Sequence, residues 1–544
     1  MSTASQDTAG AVTAAAGPAP AAASAWTPPV LTQTQKVLAF ATMCVGMFIA
    51  LLDIQIVSAS LRDIGGGLSA GADETVWVQT SYLIAEIIVI PMSGWLSRVF
   101  STRWLFAGSA LGFTIASMLC GVAWDINSMI AFRALQGFIG GSMIPMVFTT
   151  AFVFFEGKKR VVAAATVGAL ASLAPTLGPT VGGWITDHFN WHWLFFINLV
   201  PGLFVAIVVP MLVNLDRPNL ALVRYADYLG IVLMALFLGC LEYTLEEGPR
   251  LDWFGDHVIL TTAWISGLSA IGFIWRSLVY EHPIVDLRAL KDLNFALGCF
   301  FSFVTGIGIF ATIYLTPLFL GRVRGFSALD IGLAVFSTGV FQIMSIPLYS
   351  YLANRVDLRW IMMGGLALFT LSMWQFGPIT HDWGAQQLML PQALRGMGQQ
   401  FAVAPTVTLT LGGLAPERLK LASGLFNLMR NLGGAIGIAA CATIINDRTN
   451  MHFLRLAEHL NSSNEAMGQV LSSVGANLMA WGQDAASAQA GALKQLSLLA
   501  LREAQTQTFS DTFLCVGVCF AIATAMVPLM RKVAPPKGPS ADAH

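Results

Sequence analysis

The stretch FRALQGFIGG, residues 132–141, sets a permanent cation, Arg133, inside an apolar run long enough to cross a bilayer. A guanidinium at that depth costs several kcal/mol by some measures and far more by others, so it has to face a protein cavity and find an anionic partner there. Such a placement points to transport before it points to scaffolding.

Composition agrees with a chain that lies mostly in lipid. The 544 residues are 56% hydrophobic and 11% charged, with a mean hydropathy of +0.68, far outside the range of soluble domains. Net charge is -1, so no overall field suits nucleic acid. The seven cysteines all fall in apolar runs without a metal-type pairing and read as small packing residues.

From Lys36 onward, apolar runs of about twenty residues, the length that spans hydrocarbon, recur fourteen times. They lie near 36–60, 74–97, 104–122, 127–154, 161–186, 194–213, 229–246, 258–280, 295–320, 328–351, 358–380, 388–412, 421–445 and 511–530. The preceding segment, 1–35, is Ala-, Pro-, Thr- and Ser-rich with no basic n-region, and reads as a disordered cytoplasmic tail. Residues 531–544 read as a second one. Arg98, Arg103, Lys158, Lys159, Arg160, Arg355, Arg359, Arg418 and Lys420 fall in alternate connections, which makes that side cytoplasmic and puts both termini there.

An internal repeat divides the chain. Gln136 and Gly137 in span four are followed by Pro145 and the basic loop EGKKR; Arg395 and Gly396 in span twelve are followed by Pro405 and PERLK. A shift of eight spans implies two six-helix halves, 36–213 and 295–530, around an inserted pair of helices at 214–294, with a substrate site between the halves. The expected fold is therefore an all-α membrane protein of fourteen helices. The polar segment 446–510 lies on the outer side and carries helical periodicity in MHFLRLAEHL. It reads either as an exposed amphipathic hairpin or as a docking surface.

Buried charges supply the candidate site. Asp53 in span one and Arg133 in span four both fall about 10 Å below the outer surface at 1.5 Å of rise per residue, so they can pair. Such a pair exchanges a proton as its cavity wets and dries, or else serves as structural glue. Glu86 lies near the midplane as a proton carrier or a partner for a cationic group. Glu242 sits about one turn below the outer surface of span seven, within snorkelling reach of water, with Glu246 and Glu247 at the interface. Arg395 and Arg430 either bind carbonyls at helix ends or attract an anionic substrate. When Gly137 is laid on Gly396, Arg133 falls on Gln392, so proton chemistry is expected mainly in the first half. In span five, APTLGPTVGG (174–183) combines Pro175 and Pro179, which remove backbone donors, with Gly178, Gly182 and Gly183, which leave a smooth strip for another helix. Together they form a candidate gate.

These residues carry a resemblance. LDIQIVSASL around Asp53, FRALQGFIGG and APTLGPTVGG are similar to the first-, fourth- and fifth-span motifs of fourteen-span drug/proton antiporters of the major facilitator superfamily, EmrB/QacA type. WHWLFFINLVPG (191–202) and PERLKLASGLFNLMRNLGGAIG (416–437) are close to the EmrB branch. The resemblance covers 36–530 and implies proton coupling through Asp53 and Arg133; Glu86 is a further coupling candidate by its position alone. Gln136, Glu242, Arg395 and Arg430 are assigned to the substrate pathway. It further implies export of hydrophobic or amphipathic compounds across the bacterial inner membrane with the proton gradient as energy source and no cofactor. A periplasmic membrane fusion adaptor and an outer-membrane channel are the implied partners. Two departures stand out. GWLSRVFSTRW has Arg98 where the pattern has an acid and Ser101 where it has glycine, leaving Gly94, Arg98 and Arg103 to support inner closure. Relatives tend to carry a small or polar residue where Glu86 stands. A metabolite or siderophore exporter of the same fold remains open. A membrane enzyme or sensor is disfavoured, since the eight histidines form no HExxH and no Walker loop occurs. A pore is disfavoured too, because the buried charges are scattered rather than ringed.

Overall fold

The computed structural model describes residues 31–281, 283–414, 416–458, 465–482 and 484–532. Most of the two expected tails lies outside them. The first helix, α1 (Gln33–Ala59), starts three residues before Lys36 because Thr32 and Gln35 close a capping box on its first turn. The first half continues through α2 (Trp77–Phe100), α3 (Thr102–Gly121), α4 (Ile126–Gly140), α5 (Met143–Phe154), α6 (Gly157–His188) and α7 (Leu199–Leu212). Span four is thus two helices, α4 and α5, broken at Gly141 and Ser142. A Cβ on Gly141 would lie 2.7 Å from Val89 and 2.9 Å from Glu86 Cγ, so the break sits where the chain crowds α2.

The inserted pair is α8 (Tyr228–Glu247) and α9 (His257–Val279). The second half comprises α10 (Leu293–Arg322), α11 (Ala328–Ala353), α12 (Leu358–Gln375), α13 (Ala385–Leu411), α14 (Pro416–Glu458), α15 (Glu465–Ala480) and α16 (Ala485–Met526). Among the described residues, 12 helical stretches are long and apolar enough to cross a membrane. Length and composition therefore do not establish the expected fourteen. The eleventh and twelfth expected spans are helical in place, as α12 and α13, but stand outside that set. The physical reason is their polarity: α12 is short and carries Arg359 in its first turn, while α13 carries Arg395 and five glutamines.

Packing repeats between the halves. α1 lies along α6, α2 along α4 and α3 along α7; in the second half α10 lies along α14, α11 along α13 and α12 along α16. The halves meet along two seams, α2 with α14 and α6 with α11. Beside the first seam α5 also meets α14: the Phe148 and Phe426 rings lie 6.4 Å apart, and Thr149 Oγ1 and Ser423 Oγ share a hydrogen bond of 2.8 Å. The pair α8/α9 packs outside this arrangement, α8 against both α2 and α14. Trp264, Leu268, Ile271 and Trp275 on α9 are exposed, as a lipid-facing helix requires.

The polar segment 446–510 is largely helical. α14 and α16, of 43 and 42 residues, are each about 60 Å long at 1.5 Å per residue, twice the hydrocarbon thickness of about 30 Å. They run past the membrane together. Asp511 of α16 accepts from Arg448 at 2.7 Å and pairs with His452 at 3.0 Å, both on α14. α15 packs on α16, and Leu454, Met479, Trp481 and Leu498 stand exposed on this projection.

Candidate functional site

Asp53 on α1 and Arg133 on α4 are 80 residues apart and meet as a direct ion pair, Arg133 Nη1 donating to Asp53 Oδ2 at 2.6 Å. Both side chains are fully buried. Arg133 also donates from Nε to Val78 O at 3.1 Å and from Nη1 to Gln136 Oε1 at 2.8 Å. Its guanidinium lies 4.3 Å from the Tyr82 ring centre, where the aromatic face favours a cation. Gly137 permits this approach, since a Cβ there would collide with Tyr82 O. The other carboxylate oxygen, Asp53 Oδ1, accepts from Gln136 Nε2 at 3.2 Å and from Asn198 Nδ2 at 2.7 Å.

Asn198 was not legible as a site residue. It caps α7 inside the run FFINLVPG, where a lone amide among large apolar residues was the available signal, and it also donates to Ser117 Oγ at 3.0 Å. Cys120, read from sequence as packing, donates Sγ–H to Gln136 Oε1 at 3.5 Å. Five helical segments thus converge on one carboxylate and one guanidinium. A buried pair of this kind stands only if its remaining lone pairs and protons are satisfied, and here Nη2 of Arg133 is left without a partner.

The fifth-span motif lies directly beside this network. α6 runs on through Pro175 and Pro179. A Cβ on Gly178 would collide with Gln55, and one on Gly182 would lie 2.6 Å from Ile56 O, so α6 touches α1 within three residues of Asp53. Gly183 is buried next to them. On its other side α6 meets the second half, where Gly332 of α11 is pressed against Thr180 and a Cβ on Gly339 would lie 2.7 Å from Leu173. The second half repeats the device: Gly433 of α14 is pressed against Phe303 O, and a Cβ on Gly437 would lie 3.0 Å from Ile307 Cα, both on α10.

Glu86 is buried on α2, with Oε1 unpartnered. The positive charge acting on it most strongly is Arg430 of α14, in the other half. Arg430 lies 5.6 Å from the Phe148 ring centre and leaves its Nε unpartnered. Glu86 and Arg430 are thus buried on the two helices of the α2/α14 seam, with no ion pair between them among the described residues. Glu242 corrects the expectation of a snorkelling residue: it is buried, its Oε2 lacks a partner, and the charges acting on it are Glu246 and Glu86. α8 packs on α2 and α14, and Glu242 lies on its packed side. Glu247, at the end of α8, is also buried and pairs with Arg250 at 2.8 Å. Arg395 is buried on α13 away from these groups, bonded to Thr338 Oγ1 at 2.9 Å.

Two sets of contacts close the ends. At the basic end, a Cβ on Gly94 would lie 2.5 Å from Lys420 O, and Lys420 pairs with Asp216, which also accepts from Thr102 N at 2.9 Å. Arg98 and Arg103 do not join this closure directly. Each leaves its Nε unpartnered, and Arg103 rests 5.0 Å from the ring centre of its neighbour Trp104. At the far end the loop after α8 ties both halves: Arg250 pairs with Asp73 of the first, while Trp253 Nε1 donates to Thr443 Oγ1 at 3.0 Å and Asn446 Nδ2 to Pro249 O at 2.9 Å in the second.

Two repeated helical halves meeting on lipid-spanning seams, with charges buried beside them, define a multi-span membrane transporter. The chain belongs to the Major Facilitator Superfamily, whose family description matches residues 43–438 and 298–535. It is 38% identical over 425 residues, 78% of this chain and 83% of the relative, to the colistin resistance protein EmrB of Acinetobacter baumannii. It is 32% identical over 439 residues, 80% of this chain and 85% of the relative, to the multidrug export protein EmrB of Escherichia coli K12. In fold it is similar to the proton:xylose symporter XylE, with a TM-score of 0.59 and 10% identity over 92% of this chain and 97% of that one.

Proposed function

We propose that this protein is a multidrug efflux pump that exports hydrophobic or amphipathic compounds across the bacterial inner membrane in exchange for protons. The export reading is supported by relatives named for multidrug export and colistin resistance. The coupling reading is carried by one observation, the sealed Asp53–Arg133 pair and its contact with the small-residue strip of α6. Protonating Asp53 would remove the charge that neutralises Arg133, and a guanidinium left alone in a dry site is strongly unfavourable. The pair can therefore stay closed in one protonation state and is pressed to open in the other. Because α6 touches α1 beside Asp53 and α11 in the second half, that local change is delivered to a seam.

Alternating access then follows from differential affinity of proton and substrate for the two orientations. Substrate binds between the halves from the basic side, the far-end loop releases, and a proton from outside resets the cycle. Glu86 serves as a second proton carrier or as the contact for a cationic substrate, with Glu242 behind it. The proton gradient is the energy source, with no cofactor. Both termini lie in the cytoplasm, and α12 and α13 cross the membrane to make fourteen spans. The projection of α14, α15 and α16, with its exposed Trp481 and Leu454, docks a periplasmic membrane fusion adaptor that leads to an outer-membrane channel.

The test is proton flux in proteoliposomes. A lipophilic substrate added to vesicles with an imposed pH gradient should discharge that gradient in proportion to substrate moved, and an uncoupler should abolish the accumulation. Accumulation that survives complete collapse of the gradient would falsify the antiport reading.

A further inference from the structure

The two halves treat their buried arginines differently. Arg133 has a carboxylate; Arg395, equally enclosed at 1% exposure, forms no ion pair among the described residues. Its Nη2 donates to Thr338 Oγ1 at 2.9 Å, while its Nε and Nη1 have no partner. Thr338 passes its own proton on, donating to Gln392 Oε1 at 2.7 Å, which leaves the Gln392 amide nitrogen without an acceptor. One turn further along α11, Gln342 is 1% exposed with both polar side-chain atoms unpartnered. Gly396 brings the two helices this close: a Cβ there would collide with Thr338 O and lie 3.1 Å from Gln342 N.

The inventory is lopsided. Arg395 Nε, Arg395 Nη1, Gln392 Nε2 and Gln342 Nε2 are free donors, and Gln342 Oε1 is a free acceptor. A buried unsatisfied donor is costly, and one on a charged group more so. Water supplies acceptors yet leaves the guanidinium charge uncompensated. A group with several acceptors and one negative charge answers both deficits. The cluster also adjoins a seam, since Gly339, next to Thr338, packs against Leu173 of α6.

We propose that Arg395, Gln392 and Gln342 form an oxyanion site in the second half that takes the carboxylate head of an amphipathic substrate. This rests on the exporter reading and adds the head-group chemistry to it. The two halves then divide their labour by charge: the first neutralises its arginine internally, and the second leaves its arginine for the cargo.

Equilibrium binding to the full-length protein in nanodiscs separates the possibilities, with decanoate and decanol as probes at a pH where decanoate is ionised. The expected result is that wild type binds decanoate at least tenfold more tightly than decanol, since hydrogen bonds to charged groups are worth about one to two factors of ten. Arg395→Gln should bring that ratio close to one, and Arg395→Lys should keep part of it, because a point charge without the planar fork holds a carboxylate less well. Gln342→Leu, which leaves the cation in place, should lower the ratio several-fold and serves as the readout if Arg395→Gln does not fold. A wild-type ratio near one, meaning a water-filled cluster, overturns the proposal. So does a ratio unchanged in Arg395→Gln and Gln342→Leu. Uphill export of a lipophilic cation by wild-type proteoliposomes tests the exporter reading separately, so the two can fail independently.

Discussion

Replacing Asp53 by asparagine removes one charge from the centre of the first half with almost no change of shape. Asn Oδ1 can still accept from Asn198 and Gln136, but the amide now turns a donor toward Arg133 Nη1, which sat 2.6 Å from the carboxylate. Breaking a buried ion pair from one side costs about 3–5 kcal/mol, mostly because the remaining charge is stranded. At about 1.4 kcal/mol per factor of ten, the sealed arrangement loses two to three and a half orders of magnitude in relative population. Two readouts follow. The thermal midpoint of purified Asp53→Asn should fall well below wild type, and Asp53→Asn combined with Arg133→Gln should recover most of that loss, because the stranded cation is gone. In proteoliposomes both variants should equilibrate substrate across the membrane but neither should accumulate it against a gradient. Wild-type uphill transport by Asp53→Asn would refute the coupling argument. A double variant no more stable than the single one would refute the electrostatic account of the pair, whatever transport does.

Gly178→Ala should lower stability by about 1–3 kcal/mol through overpacking and slow transport, because its Cβ has Gln55 in the way; exposed Gly364→Ala on α12, with open space around it, should be neutral or slightly stabilising. Thermal midpoints of the two compared side by side decide this, and equal effects would sink the close-approach argument. Asp216→Asn removes the partner of half-buried Lys420 at the basic end, and a pair of this exposure is worth about 1 kcal/mol or less. In a cysteine-free background, labelling of Ser423→Cys should rise up to about fivefold. Arg250→Gln cuts the tie between the far-end loop and Asp73 and should shift labelling the opposite way, raising it for Thr443→Cys while lowering it for Ser423→Cys. If both ends became more reactive together, the variant would have loosened the fold without shifting its orientation.

How much of this was readable in advance depends on the kind of quantity involved. Depth was readable: a rise of about 1.5 Å per residue puts Asp53 and Arg133 at one level, and the structure joins them. Glycines were readable as a smooth strip, and Gly178 and Gly182 are where α6 touches α1. Rotation about a helix axis was not. Glu242, expected to rise to water, is instead buried on the packed side of α8. Span four read as one helix because hydropathy averages over the Gly141 turn that divides α4 from α5. The polar composition of α13, which keeps it outside the set of plainly apolar spans, marks the face that holds Arg395, Gln392 and Gln400 inside the protein.

The sequence by itself determined that this chain lives in a bilayer, that it is built twice over, and that a cation in span four must be answered by an anion. Those statements follow from transfer energies, which depend on composition and local period. Only the tertiary structure decided who answers whom: that Asn198, 145 residues from Asp53, completes its carboxylate, that Glu86 and Arg430 are buried on the two helices of one seam, and that Arg395 forms no ion pair with an acid among the described residues. Such pairings depend on which helix faces lie together, and helix packing fixes them through contacts far apart along the chain.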